Sequence, residues 1–408
     1  MKVEANRLED YGDVAGRDDI AQIRQMAEDL QGRSVLHVNA TAYGGGPAEM
    51  LARLVPLTKD VGLEVDWMVL DGSPEFFQMT KGLHNALHGT EVDIEPQQEE
   101  TYLATNKANA DAIPFDRDFV VIHDPQPCAL VKFTPGNGGM WAWRCHIDLS
   151  KPYEATWRFL SPFVKMYDAL IFTLRDYVLR ELQHKPVSII PPSIDPLSEK
   201  NKVLEYATVA RIVEKRGIDP ERPLVTQVSR YDPWKDPLGV VDVYRHVRRE
   251  IHDLQLLMIG SMATDDPEGA VYYDKTVRYA GEDPDIHLQT NLTDLEVNAL
   301  QRASDVILQK SVREGFGLTV TEALWKERAV VAGNTGGIPT QITHGETGFL
   351  VNTTEEMAER TLWLLRHPKE RTQIGEKAHE HVRRHFLITR HLKDYLSLFA
   401  DLAKRGGG

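Results

Sequence analysis

Two carboxylates, Glu314 and Glu322, bracket the run Gly315-Phe316-Gly317-Leu318-Thr319-Val320-Thr321. The run follows a short apolar segment, Val306–Gln309, and leads into Ala323-Leu324-Trp325-Lys326. That order predicts a strand, a glycine loop and a helix start, with the helix continuing over Leu318–Glu327. The first amides of a helix lack intrahelical acceptors and attract phosphate. A glutamate on either side can accept hydrogen bonds from hydroxyls. A diphosphate carrying a sugar at each end, a nucleotide sugar, fits that spacing. An ordinary strand-to-helix turn, with Glu complementing the helix dipole, fits the same stretch.

Two further segments could act on the same chemistry. Ser229-Arg230-Tyr231-Asp232-Pro233-Trp234-Lys235 follows a predicted strand at Leu224–Val228. Arg230 offers a planar fork and Lys235 a point charge, a common division of labour on phosphates. Two cations on a turn are otherwise solvated surface charge. Gly44-Gly45-Gly46-Pro47 lies between a predicted strand, Val35–Val38, and a predicted helix, Ala48–Lys59. Consecutive glycines allow close backbone approach to a ligand, and Pro47 suits a first helical turn. The pattern is not G-x-G-x-x-G, so dinucleotide binding has little support. Its alternative is a plain tight turn.

Polar tips end two other predicted strands, His123-Asp124 after Phe119 and Arg144-Cys145-His146 after Trp141 and Trp143. A histidine there could bond a sugar hydroxyl and steady charge as a glycosidic bond breaks; it could equally be a satisfied core group. No spacing of His, Cys, Asp or Glu suits a metal site. Cys128 and Cys145 read as small buried residues.

The elements that must position these residues alternate between short apolar runs and helical patterns, as parallel βαβ units do. Six strands are predicted before residue 191: Val35–Val38, Val65–Leu70, Phe119–His123, Trp141–Ile147, Ala169–Thr173 and Val187–Ile190. Pro191-Pro192-Ser193-Ile194-Asp195-Pro196 interrupts helix and strand alike and reads as a linker. Six more follow: Leu224–Val228, Gln255–Ile259, Ile286–Gln289, Val306–Gln309, Ala329–Ala332 and Gly348–Val351. From Glu355 to Lys404 the chain reads as helix throughout, with no strand of its own. The expected fold is α/β, two Rossmann-like doubly wound domains facing a cleft. Residues 1–200 form one and 201–385 the other, with the helix 386–408 packing back on the first. Ligands of such sheets bind at the carboxyl ends of the strands.

Length and composition agree with two or three globular domains in 408 residues, 26% of them charged. The net charge of −14 comes without a basic block, which argues against nucleic-acid or anionic-membrane partners. With two cysteines, neither a disulfide framework nor a thiolate zinc site is expected. The N-terminal residues carry no apolar h-region and no run is long enough to span a bilayer, so a cytoplasmic protein is expected.

Taken together, Glu314…Glu322, Arg230 with Lys235, Gly44-Gly45-Gly46 and His146 resemble the retaining GT-B glycosyltransferases of the glycogen-synthase-like family 4. A narrower resemblance, to the trehalose glycosyltransferring synthases, rests on His37-Val38-Asn39-Ala40-Thr41, on Thr80-Lys81 with His84-Asn85-Ala86-Leu87, on His123-Asp124-Pro125-Gln126-Pro127, on Trp143 to Ser150 and on Pro191 to Asn201. The resemblance implies transfer of glucose from an NDP-glucose, UDP- or ADP-linked, to free glucose, giving α,α-trehalose reversibly. It implies front-face attack, no required metal or other cofactor, and a homodimer. Arg230 and Lys235 would neutralise the departing diphosphate, and the amides near Leu318, Thr319 and Val320 would cap it. Glu322 would hold the ribose, and Glu314, Gly315, Phe316 and Gly317 the glucose. His146 would reach the donor sugar, and the acceptor would lie by Gly45, Gly46, His84 and Asp124. The chain departs from the pattern at Pro47 and at Gly336-Gly337-Ile338-Pro339-Thr340-Gln341, which lacks the acidic residue many relatives carry. Other readings are a family 4 transferase with another acceptor, a sugar-nucleotide epimerase on the same fold, and a non-catalytic nucleotide-sugar sensor.

Overall fold

The computed structural model describes residues 6–42, 46–136, 138–260 and 267–406, with backbone alone at 267 and 268. The chain forms two compact units, one from the residues up to Ser193 together with those from Ile388 onward, the other Ile194–Leu387. No described helix is long and apolar enough to cross a membrane.

The first unit holds β1 (Ser34–Asn39), β2 (Glu64–Val69), β3 (Phe119–His123), β4 (Met140–Cys145), β5 (Ala169–Phe172) and β6 (Val187–Ile189). They form one parallel sheet in the order β2-β1-β3-β4-β5-β6. β3 and β5 are buried along their whole length, as strands covered on both faces must be. His37 lies beside Val121, and His123 beside Arg144. Side chains alternate along a strand, so His37, His123 and Arg144 share one face with Phe119. Trp141 and Trp143 join the core on the opposite face.

The face of Phe119 and His37 is covered by the last helix, Ile388–Gly406. Phe399 stacks on Phe119 at 4.9 Å, Tyr395 meets the His37 ring at 5.7 Å, and Lys393 pairs with Asp19 at 3.1 Å. Tyr395, Leu396, Phe399 and Leu402 are buried there, each contributing about 1.5–3 kcal/mol. The stretch expected to be helical from Glu355 onward is three helices: Thr354–Arg366, Pro368–His385 and Ile388–Gly406. Proline in a helix interior removes an amide donor, and Pro368 stands instead at the first position of the second helix, where that donor is not needed.

The second unit holds β7 (Leu224–Val228), β8 (Gln255–Gly260), β9 (Ile286–Thr290), β10 (Val306–Gln309), β11 (Ala329–Gly333) and β12 (Phe349–Val351). Its parallel order is β12-β11-β10-β7-β8-β9. The chain leaves the centre of each sheet in both directions, between β1 and β3 in one and between β7 and β10 in the other. Residues 194–202 belong to the second unit because it supplies their polar partners. Asn298 donates to the carbonyls of Glu199 and Lys202, and Trp325 Nε1 donates to that of Asn201.

Candidate functional site

In the second unit the topological switch point lies between β7 and β10, and the loops leaving those two strands carry Lys235 and Glu314. Lys235 Nζ stands 2.5 Å from Glu314 Oε2, with 14% and 11% of the side chains exposed. The pair joins residues 79 apart in the chain. Several polar groups build it. Asp232, 4% exposed, accepts the Lys235 amide at 3.0 Å and pairs with Arg230 at 3.2 Å. Gln227, at the end of β7, donates to the Lys235 carbonyl at 3.0 Å and accepts from the Lys310 amide at 2.8 Å, which ties the two loops together. Ser311 donates its hydroxyl to Glu314 at 3.1 Å, and the Gly315 amide reaches the other Glu314 oxygen at 3.2 Å. Lys310 pairs with Asp236. Arg230 remains 60% exposed at the rim.

The helix Leu318–Trp325 begins at Gly317, whose φ of 84° is left-handed. The Val320 amide, expected at a diphosphate, instead donates to the Gly317 carbonyl at 2.9 Å. Leu318 and Thr319 therefore supply the first-turn amides. Gln309 spans from β10 to this helix, donating to Ser311 at 2.9 Å and accepting from Thr319 at 3.0 Å. Phe316, 7% exposed, is partly held by its ring contact with Phe386 at 5.8 Å. Gly336, with φ 55°, presses on the loop so closely that a Cβ there would sit 1.7 Å from the Glu314 carbonyl oxygen. Gln341 of the same segment fixes the loop from behind. Fully buried, it donates to the Phe316 carbonyl and accepts from Thr321, and a carboxylate cannot do both.

Glu322 lies in the second turn of that helix, 6% exposed, with Lys200 Nζ 3.8 Å from its carboxylate. Lys326, one turn on, is buried and donates to Asn201 Oδ1 at 3.0 Å and to the Glu322 carbonyl at 3.1 Å. Burial lowers the Lys326 amine to about 7, against the attraction of Glu322. Sequence reasoning did not reach Gln227, Asp232, Ser311, Lys200 or Lys326. Polar residues at strand ends, such as Gln227 and Gln309 after otherwise apolar runs, were the available signal for two of the stitching groups.

In the first unit the strand-end groups converge. Asp124 has a left-handed φ of 66°, held because its amide donates to the Arg144 carbonyl at 2.8 Å and its carbonyl accepts from Trp143 Nε1 at 2.9 Å. A non-glycine in that region costs free energy and is found where surroundings enforce it, often at functional sites. The Asp124 carboxylate accepts the His146 amide at 2.8 Å. Burial raises Asp124 to about 7, opposed by that amide and by the Arg144 charge. His146 is half-buried beside it. His84 stands on the helix Pro74–Leu87, its ring 4.9 Å from His88. Gly46 opens the helix Gly46–Asp60, with Pro47 in its first turn; Gly44 and Gly45 lie outside the described residues. Arg144 is fully buried, and no hydrogen-bond partner for its guanidinium exists among the described residues.

Known proteins match this chain along nearly its whole length. Residues 37–179 match the family described as trehalose synthase, N-terminal domain, and residues 209–381 that described as glycosyl transferases group 1. The chain is 49% identical over 401 residues to the trehalose synthase of Pyrococcus horikoshii, covering 97% of this chain and 96% of that one. It is 50% identical over 400 residues to the trehalose synthase of Thermococcus litoralis, covering 97% of each. Among solved structures, a UDP-forming α,α-trehalose-phosphate synthase from Burkholderia xenovorans superposes with a TM-score of 0.72 at 16% identity, over 91% of this chain and 100% of that one. A sucrose-phosphate synthase from Thermosynechococcus elongatus gives 0.71 at 15%, with the same coverage. Those two likenesses carry the fold, two parallel α/β units of the GT-B kind; the identities near one half carry the family. The chain belongs to the trehalose synthase family of GT-B glycosyltransferases.

Proposed function

We propose that the protein is a retaining hexosyltransferase that moves glucose from an NDP-glucose to free glucose, forming α,α-trehalose and NDP reversibly. The observation that carries the reading is the Lys235–Glu314 pair at the switch point of the second sheet, beside the amides of a helix start. A cation, a carboxylate and first-turn helix amides in one place match a sugar joined to a diphosphate. The relatives named trehalose synthase supply the identity of the product.

The bond that breaks joins glucose C1 to a phosphate oxygen, so negative charge grows on the diphosphate. Lys235 and Arg230 stabilise that charge, and preorganised charge contributes most where charge develops. The amides of Leu318 and Thr319 bond its oxygens. Glu322 accepts from ribose hydroxyls, and Glu314 with Gly315, Phe316 and Gly317 holds the glucose hydroxyls. In the first unit, His146 bonds a sugar hydroxyl, and Asp124, Gly46 and His84 serve the acceptor. The acceptor hydroxyl attacks C1 on the face the phosphate leaves, and its proton passes to the departing phosphate oxygen. No enzyme nucleophile and no metal enters this scheme.

Incubating the protein with UDP-glucose or ADP-glucose, with and without glucose, tests it. NMR of the product should show α,α-trehalose only when glucose is present, with activity retained in chelator. An epimerised donor, a β-linked product, or binding without turnover would each overturn the proposal.

A further inference from the structure

Behind His146 runs a row of imidazoles that the proposed reaction does not use. His146 Nε2 lies 3.2 Å from His123 Nδ1, and His123 Nε2 lies 3.0 Å from His37 Nδ1. The rings of His123 and His146 are within 15° of parallel. His37 is 1% exposed and His123 2%, whereas His146 is half-buried. At the inner end, His37 Nε2 has no hydrogen-bond partner among the described residues. At the outer end, His146 keeps Nδ1 outside the row. Burial lowers all three below the usual imidazole range, His37 to about 3, and the Arg144 charge lowers His123 and His146 further. The three rings are therefore neutral.

A neutral imidazole has one N–H and one bare nitrogen. Each hydrogen bond in the row must then run the same way, which leaves two arrangements. If the protons point inward, the row ends on an N–H at His37 that is buried without an acceptor. If they point outward, it ends on a bare nitrogen. Orphaned buried N–H groups are the rarer and costlier defect. We infer that the row runs outward and that His123, backed by His37, is a positioning residue that holds His146 in its Nδ1–H tautomer. The tautomer of a histidine is set by the bond its other nitrogen makes. His146 then offers a donor to an oxygen and no base to a hydroxyl. Its bearing on catalysis rests on the reading of His146 as the sugar contact; the tautomer itself does not.

The test is long-range 1H–15N correlation NMR on the full chain carrying 15N-histidine, with His146 assigned by its loss in His146→Gln. All three rings should show a protonated Nδ1 and a bare Nε2, the form a free imidazole disfavours. In His123→Phe, His146 should revert to mostly Nε2–H, and kcat for trehalose formation should fall about tenfold, one hydrogen bond's worth in the transition state, with donor KM within about twofold of wild type. His123→Asn, whose amide nitrogen takes the place of Nδ1, should restore both. A protonated Nε2 on His146 in the wild type, or Nδ1–H persisting in folded His123→Phe, would overturn the inference. Should His123→Phe fail to fold, the wild-type spectrum and His123→Asn decide. A shifted tautomer with unchanged kcat would support the row and refute the sugar contact.

Discussion

Lys235→Met should destabilise the second unit and weaken diphosphate ligands, and the structure sets the scale. At 2.5 Å between Nζ and Oε2, the direct attraction is about 6–7 kcal/mol at an effective dielectric of about 20. Desolvation of two mostly buried groups offsets most of that. What remains is a charge-assisted hydrogen bond of roughly 1.5–3 kcal/mol. Truncating Lys235 also strands Glu314, whose other partners are a hydroxyl and its neighbour's amide. We expect Lys235→Met and Glu314→Gln each to cost about 2–3 kcal/mol, and the double variant to cost little more than either. The double-mutant cycle should show coupling of about 2 kcal/mol. Because two units make a single transition doubtful, the assay is denaturant unfolding followed by hydrogen exchange of the β7 and β10 amides. Arg230→Ala, at 60% side-chain exposure, should leave stability within about 0.5 kcal/mol while still weakening UDP. Additive losses for Lys235→Met and Glu314→Gln, with coupling under about 0.5 kcal/mol, would refute the reasoning.

Glu314→Ala should lower turnover more than about 100-fold while calorimetry shows UDP still bound, because the proposed reading gives it the sugar hydroxyls, an interaction made mainly in the transition state. Gly336→Ala should cost at least about 2 kcal/mol of stability and shift donor KM, since its Cβ would meet the Glu314 carbonyl at 1.7 Å and its φ is 55°; thermal unfolding and kinetics read both. Asp124→Asn keeps the acceptor for the His146 amide and tolerates the left-handed backbone. Because burial raises Asp124 from 3.8 to about 7, the unfolded chain ionises first, and wild-type stability should fall as pH rises from about 4 to about 7. The stability gap in favour of the Asn variant should widen over that window by at most about 4 kcal/mol and stay level above it; a gap that narrows would contradict the assignment.

The alternation of apolar runs with helical patterns was enough to place twelve parallel strands, within a residue or two, and to divide them between two sheets. Period and turn chemistry are local properties, so they survive without a tertiary frame. The glycine loop from Glu314 to Gly317 was legible for the same reason, because its residues act where they stand in the chain. The break of the C-terminal stretch into three helices was only half legible: a boundary was expected at 386, where Leu387 forms a bridge with Ile194, whereas none was drawn at Pro368, which opens the middle helix. Contacts across large separations required the fold. Nothing near Lys235 reveals that its partner is Glu314, and nothing near His146 reveals His123 and His37. Strand order decides both, because leaving the centre of a sheet in two directions brings the ends of β7 and β10, and of β1 and β3, side by side. The sequence by itself determined which groups could do chemistry; the order of the strands decided which of them meet.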